Sequence, residues 1–299
     1  MKLAVTPFAV DDIRALTDAG ADVFIVGHGT YANRLVRSFD EADIKRACEL
    51  AHSLGKELIV QVNVIVHNDL LAPLESYLAF IDSIDADGVI FGDLAVYQLA
   101  RRRGMTNRLF YNPETLNTNY YDPVFWGKQG IQGLFIAKEI PLADMTRIAA
   151  SSPIKLAIIG HGHLNMFHSR RPLVTNFLEY QGEDYDKYLQ ARNLRLVEEL
   201  RDESYPIVQD EHGTHIFRSK PMASFNDLYQ LTAHIDLFVI DGMFQNAAYL
   251  LDVVRDYRRL LDHEDPEQAR TIALRYATTH DTGFLHKPTV YDVDKEGSR

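Results

Sequence analysis

Short apolar runs recur along the chain at regular intervals, separated by segments of helical period. The runs are Leu3-Ala4-Val5, Val23-Phe24-Ile25-Val26, Leu58 to Val66, Gly88-Val89-Ile90-Phe91, Leu109-Phe110-Tyr111, Leu134-Phe135-Ile136, Ile154 to Ile159 and Leu237-Phe238-Val239-Ile240. Most do not alternate strictly between apolar and polar positions, which is the pattern of strands covered on both faces. Eight such runs joined by helical crossovers predict a (β/α)8 TIM-barrel-like fold of the α/β class rather than two domains.

The crossovers have recognisable ends. Ser38 with Glu41 three residues later has the form of a capping box. Ile44, Ala47, Cys48, Ala51 and Leu54 then make one apolar stripe, and Gly55 ends it. Further helices are expected over Pro73–Ile84, Leu94–Arg103, Pro141–Ala150, Asp227–His234 and Pro266–Ala277. The alternation breaks between the seventh and eighth strands. There an insertion at about 165–223 is predicted to hold a charged helix, Tyr185 to Asp202, and a β-hairpin around His212-Gly213.

With 46% hydrophobic residues in 299, the chain can bury one large core, so 1–299 reads as one barrel domain carrying that insertion. No apolar run approaches the ~20 residues needed to cross a bilayer. The start MKLAVTPFAVDD lacks the basic region of a secretory signal, so the expectation is a cytoplasmic protein without a membrane partner. The single cysteine, Cys48, excludes an internal disulfide and any cluster held by four thiolates of this chain. Its place on the apolar stripe makes it a small core residue. A formal charge of −11 argues against a broad grip on nucleic acid by this chain alone. Arg101-Arg102-Arg103 fits a helix C-terminus, where cations meet the dipole.

In a barrel, the C-terminal strand ends supply the site. They carry Asn63 and His67, Asn112 with Glu114, Lys138-Glu139, His161 with His163, and Asp241-Gly242. His161 and His163 stand two apart and share a face if the segment is extended, and His168 joins them if the loop folds back. Such a trio could hold zinc, but no carboxylate partner stands at fixed spacing, so zinc is the alternative and a metal-free site the main expectation. Glu114, behind the stiff Pro113, is the third catalytic candidate beside His161 and His163. Ser169, Arg170 and Arg171 suit an anion, since guanidinium forks pair with carboxylate or phosphate. The competing reading is a salt bridge from one arginine to Glu179 or Asp184. Asn63, Asn112, His168 and Asp241 complete the expected substrate-binding set. Lys138 reads as a paired structural lysine, with a Schiff-base role as the other choice, and Trp126 reads as core.

The string Met166 to Phe177, preceded by His161-Gly162, resembles the peptidase U32 family, in particular its short members. Val62-Asn63 with His67-Asn68, Ile90 to Asp93, Tyr111 to Thr115, Phe125-Trp126-Gly127, Asp210 to Ile216 and Ile240-Asp241-Gly242 extend the likeness along the chain. The resemblance implies a barrel-like architecture. It also implies a role beside a longer U32 paralogue in hydroxylating the wobble uridine of tRNA, with a prephenate-like carboxylate metabolite as a further partner. Cluster-bearing relatives carry four cysteines, and Asn165 stands about where the first is expected, so an iron–sulfur cluster belongs to the partner. The family name implies proteolysis, yet the chain has no HExxH and no GxSxG. A metal-assisted hydrolase using His161, His163 and His168, and a non-catalytic binding barrel, are the alternative functions.

Overall fold

The computed structural model describes residues 1–183, 191–197, 199 and 203–288. Seven parallel strands come first: β1 (Lys2–Val5), β2 (Val23–Gly27), β3 (Glu57–Val62), β4 (Gly88–Phe91), β5 (Leu109–Tyr111), β6 (Gly133–Phe135) and β7 (Lys155–Gly162). Four strands follow in a separate sheet, β8 (Asn165–Ser169), β9 (Arg195–Val197), β10 (Ser204–Asp210) and β11 (Gly213–Phe217), and the short β12 (Met222–Ala223) then pairs antiparallel with the end of β7. The eighth barrel strand is β13 (Leu237–Ile240), which pairs in parallel with both β7 and β1 and closes the barrel predicted from the apolar runs.

The runs lack alternation because each strand is buried twice. Ala4, Ile25, Ile59, Ile90, Phe110 and Phe135 fill the barrel interior, while Leu3, Phe24, Leu58, Val89, Leu109 and Leu134 face the helices. The crossovers are α1 (Asp12–Ala19), α2 (Glu41–Ser53), α3 (Leu71–Ser83), α4 (Leu94–Arg102), α5 (Tyr121–Lys128) and α6 (Leu142–Ala150). On α2, Ile44, Ala47, Cys48 and Ala51 are buried as the stripe requires. The cap, however, is Asp40, whose side chain accepts from the Asp43 N–H at 2.7 Å. Ser38 instead accepts from the Gly29 N–H at 2.8 Å. Asp40 has the extended backbone that puts its carboxylate over the helix start, and Ser38 lies too far upstream.

The insertion carries α7 (Leu173–Gln181) and a separate antiparallel sheet in the order β8-β11-β10-β9. The predicted hairpin is β10–β11, joined through Glu211-His212 with Asp210 opposite Gly213. Gly213 has φ +119°, and a Cβ there would lie 2.0 Å from the Ser169 carbonyl oxygen, so only glycine lets β11 reach β8. The charged helix expected over Tyr185–Asp202 falls largely outside the described residues. Within them, Arg195–Val197 is a strand paired with Ser204–Pro206, which corrects that expectation: cross-strand pairing with β10 overrides local helical preference. α8 (Leu228–Thr232) leads into β13, and α9 (Ala247–Asp262) and α10 (Pro266–Tyr276) follow it.

One irregularity decides which side chains enter the site. β7 and β13 run in register up to Ile159 opposite Val239, and then His161, not Gly160, faces Ile240. Gly160 is the extra residue of a bulge, and a Cβ on it would lie 2.0 Å from the Phe238 ring.

Candidate functional site

The C-terminal end of the barrel holds a small chamber of about 70 Å³, lined by residues on or just past β3, β5, β6, β7 and β13, by Arg34, and by Asn165 and Phe217 of the inserted sheet. Above it opens a wider bowl of about 360 Å³, edged by Ile65, Leu116, Met166 and Phe167. The inserted sheet therefore contributes a wall of the mouth.

Glu114, in the connection after β5, lines both chamber and bowl. Its φ of +70° is unusual for a side chain of this size and costs about 1 kcal/mol or more. Asn112 offsets part of that by accepting the Glu114 N–H at 3.2 Å. The carboxylate is clamped between Arg34 and Lys138, the latter at 3.2 Å. Burial alone would raise its pKa, but the Arg34 and Lys138 charges outweigh burial and hold the carboxyl below its ordinary value. Lys138 is thus a paired lysine, although its partner is Glu114 across the mouth. Arg34, which lies in the β2–α2 connection and has φ +54°, has no sequence pattern to mark it.

Four carboxamides ring the chamber, each tied to backbone by one end. Asn63 accepts the Asn33 N–H at 3.0 Å, and Gln61 donates to the Asn33 carbonyl at 2.9 Å. Asn165 donates to the carbonyls of Phe167 and Ile216 at 3.1 and 3.2 Å. Asn112 uses its oxygen for Glu114, as above. Asp241 accepts from the Met243 N–H at 2.9 Å and from the Thr6 hydroxyl at 3.4 Å. Burial pushes its carboxyl up to about 6 in spite of these donors. It is a carboxyl poised to change charge near neutral pH.

The three expected histidines part company. His163 lines the chamber, its Nδ1–H donating to the Arg218 carbonyl at 3.2 Å, and burial lowers its pKa to about 4. It is neutral, with Nε2 left as an acceptor. His161 is turned by the bulge into the layer under the helices. Its two ring nitrogens meet the hydroxyls of Tyr257 and Tyr249 at 3.2 and 2.7 Å, and burial holds its pKa well below the ordinary range. His168 lies in the inserted sheet, stacked on His215 with ring centroids 4.6 Å apart. The shared face expected for His161 and His163 assumed an extended segment, but the bulge at Gly160 turns His161 and Gly162, at φ +126°, turns the chain between the two, so a three-histidine zinc site is not assembled.

Arg170 and Arg171 are exposed and border neither chamber nor bowl. Arg170 approaches the His212 ring at 3.4 Å, and neither arginine makes an ion pair among the described residues. The competing partner Glu179 is not engaged, and Asp184 lies outside the described residues. Ser169 accepts the Arg171 N–H at 3.2 Å in the turn. These three residues sit on the rim of the inserted sheet rather than at the chamber wall, because β8 has already left the barrel axis when the chain reaches them.

A cysteine, a histidine and a carboxylate do meet elsewhere, as Cys48, His52 and Asp87. The sulfur is 3.9 and 3.8 Å from the two nitrogens of one ring, so neither lone pair is aimed at it, and the thiol donates to the Ile84 carbonyl at 3.3 Å. Burial pushes the thiol up to about 11. Asp87 also accepts the Leu58 N–H at the start of β3, the end of the barrel that serves stability. Nothing in this group activates a nucleophile. A lone buried cysteine also does not fit a cluster that needs four thiolates.

The family model for Peptidase family U32 matches residues 9–291. Over 97% of its length the chain is 35% identical to tRNA hydroxylation protein P2 of Bacillus subtilis (strain 168), of which it covers 99%. It is 22% identical over 86% of its length to tRNA hydroxylation protein P1 of the same organism, and spans 63% of that longer protein. Among solved structures, a U32 peptidase superposes with a TM-score of 0.51 at 12% identity, covering 81% of this chain and 92% of that one, which bears on the fold alone.

Proposed function

The chain belongs to peptidase family U32, and from that premise we propose that it is a subunit of a tRNA hydroxylation system. It acts with a longer, cysteine-bearing paralogue on C5 of the wobble uridine. The observation that carries this reading is the end-to-end likeness to a protein named for tRNA hydroxylation, in an organism that also has a longer relative of the same name. The mouth supports it by what it contains: a neutral histidine, clamped Glu114, and Asp241 near its titration point, without an activated nucleophile. Glu114, His163 and Asp241 are the groups proposed to face the reacting base, with Asn63 and Asn112 beside them. His161 is proposed as a core residue, which withdraws it from the catalytic set. His168 acts from the inserted sheet, and Ser169, Arg170 and Arg171 serve the approach of an anionic partner.

Any iron–sulfur cluster is assigned to the paralogue. A prephenate-like carboxylate gains less from Arg34 and Lys138, whose two charges are offset by Glu114 and, above about pH 6, by Asp241, so the exposed Arg170 and Arg171 are its better contact on this chain. The test is mass spectrometry of tRNA nucleosides after deletion of this gene together with the longer paralogue. Loss of 5-hydroxyuridine is expected, and an unchanged level overturns the proposal.

A further inference from the structure

We infer that the barrel mouth takes a flat, uncharged ring bearing amide groups, a uracil extruded from RNA, and reads its edge with the carboxamides. The inference rests on the function proposed above and adds where the base sits and what recognises it.

The backbone anchors fix which end of each carboxamide is left over. Asn63 and Asn112 spend their oxygens on N–H groups and keep their NH₂ donors. Gln61 and Asn165 spend their nitrogens on carbonyls and keep oxygens as acceptors. His163, donating from Nδ1, keeps an acceptor at Nε2. Among the described residues none of these remaining atoms has a hydrogen-bond partner. The result is two donors, Asn63 just past β3 and Asn112 just past β5, beside three acceptors, Gln61 on β3 itself, His163 just past β7 and Asn165 on β8, which suits a guest carrying both carbonyl oxygens and an N–H. Uracil carries two carbonyls and one imide N–H.

The charges point the same way. Arg34 and Lys138 share the Glu114 carboxylate, and Asp241, on which Arg192 also acts from outside the chamber, adds a second negative charge above about pH 6, so the charges of the chamber lining itself balance at neutral pH. The bowl supplies flat contact surface: Ile65, Leu116, Met166 and Phe167 are 46%, 65%, 40% and 45% exposed at its edge. Apolar and aromatic groups so placed are what an unstacked base needs on its faces. At about 70 Å³ the chamber has room for roughly two waters, so only the edge of a ring enters it while the body rests in the bowl. An enzyme acting on a base must take that base out of its stack, and a shallow socket of this kind receives it.

The test uses the purified chain with its paralogue and a tRNA anticodon stem-loop carrying one 5-bromouridine at the wobble position. After irradiation, crosslinked peptides are expected to contain Tyr111–Leu116 or His163–His168, and crosslinks confined to other segments overturn the inference. Asn63→Asp keeps the acceptor for the Asn33 N–H and exchanges only the free NH₂ for a carboxylate oxygen. It should lower crosslink yield at least about tenfold at unchanged melting temperature. An undiminished yield overturns the inference, and if the variant does not fold, the wild-type crosslink map decides alone. Excess uracil should suppress the crosslink and excess phenylpyruvate should not, and the reverse counts against the inference. The two readings fail separately: unchanged 5-hydroxyuridine on deletion removes the function, whereas its loss with crosslinks outside the mouth removes only the base socket.

Discussion

Asp241 shows how a single position in the mouth sets a measurable property. In the unfolded chain an aspartate titrates near about 3.9, and in the fold burial moves this one to about 6. The protonated form is therefore the one the fold favours. Its contribution is fully present below about pH 4 and is lost as pH rises through about 6. Asp241→Asn retains the oxygen that accepts from Met243 and Thr6 and removes the charge. At pH 8 the variant is expected to be more stable by about 3 kcal/mol, several degrees in melting temperature, and the gain should vanish toward pH 4. Melting curves at several pH values check this, and a gain independent of pH would show that the carboxyl is not buried as described.

The residues of the mouth were unequally visible in the sequence. Asn63, Asn112, Glu114, His163 and Asp241 stand at or within a few residues of the ends of the barrel strands, so a barrel reading delivers them. Arg34 and Gln61 carry no such signal. Arg34 acts from a loop with no period, and Gln61 is a polar residue inside a strand, marked only by the interruption it makes in an apolar run. The face His161 takes was not legible for a physical reason: it depends on contact between Gly160 and Phe238, nearly eighty positions apart, and not on spacing within its own strand.

At the level of elements, that bulge is the feature to test. Gly160→Ala places a methyl against the Phe238 ring and should cost about 3 kcal/mol in urea unfolding, or prevent folding. Gly55→Ala has no atom within 4 Å of the new Cβ and is strained only by its φ of +68°, so it should cost about 1 kcal/mol. Equal costs at the two sites would refute the role assigned to the close approach. Most helices were legible from stripe and caps. α9 is absent from the helices expected above, although Leu250, Val253, Val254, Tyr257 and Leu260 form one buried stripe behind the Asn246 cap, the signal that would have found it. Strand β9 was not, since three exposed residues, Arg195–Val197, become a strand only through their partner.

For the whole molecule, the net charge of −11 requires that any grip on tRNA by this chain come from local cations. Arg170 and Arg171 are exposed and make no ion pair among the described residues. Replacing both by Ala should leave the melting temperature unchanged. It should reduce the slope of log affinity against log salt by about 1 to 2 for tRNA binding by the chain with its paralogue. An unchanged slope would mean that the phosphates are held by the paralogue.

The inserted sheet leaves and rejoins the barrel at one place, since Asn165 at its start pairs with Phe217 near its end, and both line the chamber. Its strands pair with one another and not with the eight of the barrel. In evolutionary terms this is a cassette: the segment between those two residues can be exchanged for another of different length or chemistry while barrel closure is untouched. One scaffold can then be retuned from substrate to substrate by changing the piece that overhangs its opening.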